Sequence, residues 1–262
     1  RIAATKAGEW TWISGSNQDD RGLNDKSGSF HAINWTEKEL QENPNRRGYI
    51  RSTPNGHALQ YADGTPFFFI RDTWWASSTW RYPLTGKAPD PNWKPGPDRL
   101  TFENVVNYRK KQGYNMVAMI SCFPNWAADG LSRELVDENG IGIRQAWEHF
   151  ETPMDETPTA KDMHDELGNR SFALKDGGPM ADFDRINPEY FKSLDKKLDY
   201  LNSVGFVPFI ETIRRDHGPS LKAHFEWPNT FVRFIQYLAA RYGAHNLIFS
   251  PEHLDWFPPV HT

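Results

Sequence analysis

The sequence predicts an α/β fold: a parallel sheet with right-handed crossovers, read as the first half of a (β/α)8 (TIM) barrel preceded by a short β segment. Three observations predict it. Four apolar runs of strand length, at 66–70, 116–120, 206–210 and 247–250, alternate with segments of helical periodicity. The chain has 262 residues, whereas eight strand–helix units alone need about 250, so four units suit half a barrel. No Gly-rich phosphate fingerprint follows the first run, which takes the best support from nucleotide-type sheets. A complete small α/β sheet is the other architecture left open.

Each element has a local reason. Trp10–Ile13 and Ser29–Ile33 are β-prone runs separated by the polar stretch Ser14–Gly28. Two strands alone cannot bury a core, so residues 1–35 read as the end of a β-sandwich or as a β appendage. The polar stretch 36–47 is expected to act as a linker, and 48–262 as the N-terminal part of the barrel. Gly48–Arg51 and His57–Tyr61 form a second hairpin candidate around Pro54-Asn-Gly56, followed by an Asp63-Gly64 turn. Pro66–Ile70 is continuously apolar, as in a strand buried on both faces.

Thr101 is placed to cap a helix whose Phe102, Val105 and Val106 share one side, ending near Gly113. The stretch Ser121–Ile186 is too long for an ordinary connection and reads as a functional insertion. Asn187-Pro188 supplies a cap and a first-turn proline for a helix with Tyr190, Phe191, Leu194, Leu198 and Leu201 at helical spacing, stopped by Gly205. Asn229 is expected to cap the last helix, with Phe231, Phe234, Ile235 and Leu238 on one face and Gly243 at its end.

Composition bounds the function. With 30 Lys and Arg against 34 Asp and Glu the net charge is −4, and no basic stripe appears, which excludes a general nucleic-acid or anionic-membrane binder. No apolar run approaches a membrane span. A single cysteine, Cys122, excludes an intrachain disulfide and a thiolate zinc cluster. The chain opens at Arg1 without a signal-peptide pattern and reads as an excerpt, its targeting segment absent or already removed. Eleven Trp, 17 Phe and nine Tyr make 14% aromatics. Such a chain builds its core from rings or displays rings to a ligand, and sugars are the usual ligand of displayed indoles.

In either architecture the site lies at the carboxyl ends of the strands. Those ends carry Arg71, Asp72, Trp74 and Trp75 after the first run and Cys122 and Trp126 after the second. Glu211, Arg214, Arg215, Asp216 and His217 follow the third, and Glu252, His253, Asp255 and Trp256 the fourth. Carboxylates, aromatics and cations converging on one ring suit a carbohydrate-processing site, where one acid protonates the leaving oxygen and a second carboxylate attacks or activates water. Arg71, Asp72, Trp74, Trp75, Trp126, Arg214, Arg215, His217 and His253 are the candidate substrate-binding residues, and Glu252, Glu211 and Asp255 the candidate catalytic ones.

The string Asp63-Gly-x-Pro-Phe-Phe-Phe-Ile-Arg-Asp-Thr-Trp-Trp75, followed by a helix leading into Gln112-Gly-Tyr-Asn-Met-Val117, resembles the apiosidase-like glycoside hydrolases. Asn187-Pro-Glu-Tyr-Phe191, Gly205-Phe206 and Tyr242-Gly-x-x-Asn-Leu-Ile-Phe249 are similar to the same family, over roughly 46–257. Trp10-Thr-Trp12 and Gly28-Ser-Phe30 resemble the tail of the β-sandwich that often precedes its barrel. The resemblance implies a (β/α)8 barrel that hydrolyses glycosidic bonds, with the general acid at the end of strand four, the place of Glu252; Asp255 competes for the role. It implies a second carboxylate on a later strand. Arg71 stands where the family usually has Gly, and Ser250-Pro251 where it has a Gly-rich or Asn-containing approach.

Other readings stand beside these. Asp72 either caps the following turn or binds sugar, and Glu211 either pairs with Arg214 or Arg215 or takes part in catalysis. Asp162–Glu166 reads as a solvated loop. His217 and His224 meet no metal-ligand spacing, and no cofactor or metal is expected. The expected partner is a carbohydrate, with a second polypeptide completing the barrel as an alternative, and the expected location is secreted, periplasmic or cell-surface. The three arginines suggest an anionic glycan, uronate-containing or sulfated, of plant or algal origin. A non-catalytic carbohydrate-binding protein and a half-barrel fragment are the rival functions.

Overall fold

The computed structural model describes residues 3–80, 82–84, 101–122, 135–136, 142–143, 164–174, 181–212 and 225–251. Its centre is a four-stranded parallel sheet of β6 (Arg71–Thr73), β7 (Met116–Ile120), β12 (Val207–Glu211) and β13 (Ile248–Ser250), joined side by side in chain order. Between them run α2 (Phe102–Lys111), α3 (Pro188–Ser203) and α4 (Asn229–Tyr242). The expected order of four parallel strands is therefore observed, in a mixed α/β fold.

The first strand is displaced from its expected place. Only Pro66–Phe67 of the apolar run is a strand, β5, and it pairs antiparallel with β4 (Leu59–Gln60), which pairs with β3 (Arg51–Ser52). Phe68, Phe69 and Ile70 cross from that small sheet to the parallel one and are exposed, Phe68 by 82%. The crossing is possible because Asn115 stands in for a ladder: its side chain donates to Phe68 O at 2.9 Å and accepts from Ile70 N at 2.8 Å. The parallel pairing begins only at Arg71.

The two faces of the parallel sheet follow from strand alternation. Val117, Met119, Phe206 and Ile210 join α2, α3 and α4 in the main core through Phe102, Val106, Tyr190, Phe191, Leu194, Leu198, Leu201, Phe234 and Leu238. Residues of the opposite parity, Met116 and Val207, pack with Tyr61 and Phe67, against which Phe209 and Ile248 also rest. The small antiparallel sheet thus covers the amino-terminal end of this inner face and leaves its carboxyl end to the loops.

The helix signals hold in most cases. Thr101 forms a capping box with Asn104, and Asn187 accepts from Glu189 N ahead of Pro188. Gly205 has φ +88°, and a Cβ there would sit 3.3 Å from Pro44 Cδ, so glycine both ends α3 and admits the neighbouring chain. Asn229 is the first residue of α4 rather than its cap, and no side chain caps that helix.

The stretch expected as a linker is folded. Thr36 and Glu39 form a capping box on α1 (Glu37–Glu42), and a 3₁₀ turn follows at Pro44–Arg47. An asparagine cluster docks this stretch onto the end of α3 and the parallel sheet. Asn43 donates to Asn202 O and Ser203 O, Asn45 to Phe206 O, and Asn246 to Asn45 Oδ1 and Gly48 O. The long insertion also contains structure: β8 (Leu135–Val136) with β9 (Gly142–Ile143), and β10 (Phe172–Leu174) with β11 (Ala181–Ile186), all antiparallel. Phe172 and Phe183 are buried against Phe234 of α4. The N-terminal hairpin, β1 (Gly8–Ile13) with β2 (Ser27–Ala32), stacks Trp10 on Phe30.

Candidate functional site

At the carboxyl end of the inner face the last rung comprises Ile120, Glu211 and Ser250, which are register partners. Glu211 shares parity with Val207 and Phe209 and so belongs to that face, where it is 6% exposed. The backbone beyond the strands is drawn together: Ser121 N donates to Glu211 O at 2.9 Å and Thr212 N to Ser250 O at 3.1 Å. The Ser121 hydroxyl donates to Thr212 O at 2.7 Å, and the Thr212 hydroxyl donates to Pro251 O. Tyr190 adds a hydrogen bond to Ser121 O at 3.2 Å from α3. A buried carboxylate is thereby held on a hydrogen-bonded frame whose fourth strand ends at Ser250, immediately before Pro251-Glu252 in the sequence.

Several expected site residues have partners within the fold. Asp72 has the opposite parity to Arg71 and Thr73 and faces α2, where Oδ2 lies 2.7 Å from Arg109 Nε without the alignment of a hydrogen bond, while Oδ1 accepts from Thr73 N. Both oxygens are thus engaged by the protein's own groups. Trp74 is core: 7% exposed, stacked on Tyr82 at 6.5 Å and edge-on to Phe102 at 6.3 Å. Trp75 is half-buried in the 3₁₀ turn Trp75–Ser78 that follows β6.

Arg71 lies within β6 rather than after a strand. It is level with Met116 and Val207, two inward rungs below Glu211, and its guanidinium rests 5.1 Å above the Phe209 ring. Among the described residues no carboxylate pairs with it. Glu252, His253, Asp255, Trp126, Arg214, Arg215 and His217 lie outside the described residues, so of the predicted set the structure places only Glu211 at the carboxyl end of the inner face, with Trp75 in the turn that follows β6.

Two titratable groups near this end are not among the candidate site residues. The Cys122 thiol is buried and pushed up to about 12 by desolvation, which makes it inert as a nucleophile. Lys197, fully buried on α3, is pulled down to about 8 by desolvation, against the opposing charges of Glu166 and Asp165. Helical spacing had a signal for it: Lys197 falls on the same face as Tyr190, Leu194 and Leu201. Asp165 and Glu166 are correspondingly not solvated, since Asp165 is buried and accepts from Leu167 N and Asn169 N. Among the described residues no group of three or more His, Cys, Asp or Glu side chains could hold a metal, and no helix is long and apolar enough to cross a membrane.

Comparison with known proteins adds an identity to this geometry. A solved Bacteroides vulgatus ATCC 8482 protein, itself provisionally assigned as a glycoside hydrolase, superposes with TM-score 0.50 and 18% identity over 94% of this chain and 38% of its own. A second B. vulgatus structure, of glycoside hydrolase family 5, gives TM-score 0.42 at 18% identity, over 79% of this chain and 33% of that one. An endocellulase from Pyrococcus horikoshii gives 0.41 at 13%, over 78% and 42%. The chain therefore spans well under half the length of these structures. No curated protein sequence matches it. The sequence model of the apiosidase-like catalytic domain matches residues 53–250, which begins in the small antiparallel sheet and ends on the last residue of β13. With three quarters of its length inside that match, the chain belongs to the apiosidase-like catalytic domain family.

Proposed function

We propose that this chain forms the first four strand–helix units of a (β/α)8 barrel that hydrolyses glycosidic bonds. The observation that carries the reading is Glu211, a buried carboxylate on the last inward rung of the parallel sheet, beside the strand that leads into Glu252. In this reading Glu252 is the general acid that protonates the departing oxygen, and Asp255 is the alternative. Glu211 sits one strand away as a second carboxylate, with the role of accepting from sugar hydroxyls or serving the acid. Further strands of the barrel, against β6 and β13, would cover Phe68–Ile70 and close the sheet.

An anionic glycan, uronate-containing or sulfated, is proposed on Arg214, Arg215 and His217. Arg71 leaves that set, because its register places it below the last rung and its guanidinium is engaged with Phe209.

Glu252→Gln in the whole protein tests the assignment. Hydrolysis of a glycoside with a poor leaving group is expected to fall about 100-fold or more, while activated aryl glycosides, which need little protonation, lose far less. Equal loss on both substrates, or none, would reject Glu252 as the acid and move the role to Asp255.

A further inference from the structure

We propose that Lys197 is a positioning residue that ties the turn after β6 to the loop 164–170, so that the two segments flanking the carboxyl end of the sheet open and close as one unit. The importance of that end rests on the glycosidase reading, but the coupling itself does not.

The geometry is a three-way junction. Lys197 occupies the apolar face of α3 and has no exposed surface. Its ammonium donates to Ser77 O at 3.0 Å and Thr79 O at 3.1 Å, both in the turn, and lies 3.9 Å from Glu166 Oε2 in the loop. Glu166 in turn accepts from Leu84 N, and Trp80 N donates to His164 O at 2.9 Å, so the two segments also meet through their backbones. α2 contributes the Phe102 ring, 5.7 Å from the ammonium. Among the described residues Asp165 is the other charged neighbour. The nearby Tyr190 phenol and Cys122 thiol stay neutral, both raised by burial.

A leucine or methionine here would complete the packing of α3 without desolvating a charge. What only the ammonium supplies is donors for the carbonyls of the turn together with a positive charge facing Glu166 of the loop. If either segment swings away, the ammonium loses carbonyls or its counter-charge, and the buried charge that remains is less well compensated, which weakens its hold on the other segment.

Sealing an ammonium inside a closed junction also links opening to protonation. When the junction is charged in both the closed and open forms, opening does not depend on pH. At higher pH the closed form is neutral while the opened, rehydrated lysine still binds a proton, so opening becomes harder as pH rises.

Hydrogen exchange of the full chain between pH 7 and 10, corrected for the intrinsic pH dependence of exchange, tests the coupling. Amides of 75–80 and 165–170 are expected to share one opening equilibrium, which falls by up to about tenfold per pH unit above pH 8. In Lys197→Met the opening of both segments should rise together by about tenfold or more and lose this pH dependence, while the strand amides stay protected. Glu166→Gln removes the nearest counter-charge and should move the onset to lower pH; it decides the matter if Lys197→Met does not fold. One segment responding alone, a flat profile in the parent, or an unchanged profile in both variants would overturn the proposal. No substrate enters the measurement, so an inactive protein with coupled segments would refute only the glycosidase reading.

Discussion

Replacing Trp74 by alanine separates two roles that a tryptophan beside a sugar site can play. As a displayed platform its loss would weaken ligand binding and leave stability nearly untouched. The structure makes it core, with its indole stacked on Tyr82 and meeting Phe102 edge-on. Burying such a side chain removes roughly 200 Å² from water, worth about 5 kcal/mol at ~25 cal/mol per Å². A compact denatured state and the retained Cβ reduce that figure, and a cavity under α2 adds to it, which leaves about 3–5 kcal/mol. Urea unfolding of Trp74→Ala against the parent measures this directly, with Trp74→Phe expected to recover more than half of the loss. A change below about 1 kcal/mol for the alanine variant, together with weakened sugar binding, would show that the ring is displayed and that the core drawn here around Phe102 is wrong.

Other expectations are open to similar tests. Stability should rise by about 2 kcal/mol between pH 8 and 10 in the parent relative to Lys197→Met, because the unfolded chain still binds a proton there that the folded lysine, at about 8 against the ordinary 10.5, has released; parallel urea-stability profiles would contradict it. Arg71→Ala should cost no more than about 1 kcal/mol, the worth of its contact with Phe209, and leave any preference between neutral and anionic glycans unchanged in competition assays. Asn246→Ala removes the acceptor of Ile50 N and the donors to Asn45 and Gly48, and should destabilise by about 2–4 kcal/mol in urea, with raised exchange at the Ile50 amide.

Periodicity and turn chemistry made the helices and the order of the parallel strands legible. Thr101, Asn187 and Gly205 mark their boundaries through bonds that are local in sequence. The first strand was misplaced because apolar character does not say which sheet a run joins. Phe67 and Arg71 belong to different sheets, and the hand-over between them depends on Asn115, 45 residues from Ile70. The same limit explains the site. Glu211 could be read from its place at a strand end, whereas Asp72 and Trp74 point to the helix side by a parity that depends on where the strand begins. Asn43 and Asn45 fall in a stretch that reads as a linker, and Asn246 in a family-like string, since nothing within a few positions of them reveals a partner two hundred residues away. Lys197 was readable in principle, as a charge interrupting an apolar helical stripe.

The asparagine cluster has a kinetic consequence. The sheet can grow in the order in which its strands leave the ribosome, each new strand pairing with the one before it. The cluster cannot, because its bonds span 159 residues from Asn43 to Asn202 and 201 from Asn45 to Asn246. Closing so long a loop is costly until the intervening sheet already holds the ends near one another, so these bonds form after the rate-limiting step of folding. Cutting them should therefore speed unfolding and leave the folding rate nearly unchanged, which makes the cluster a latch on the lifetime of the folded chain.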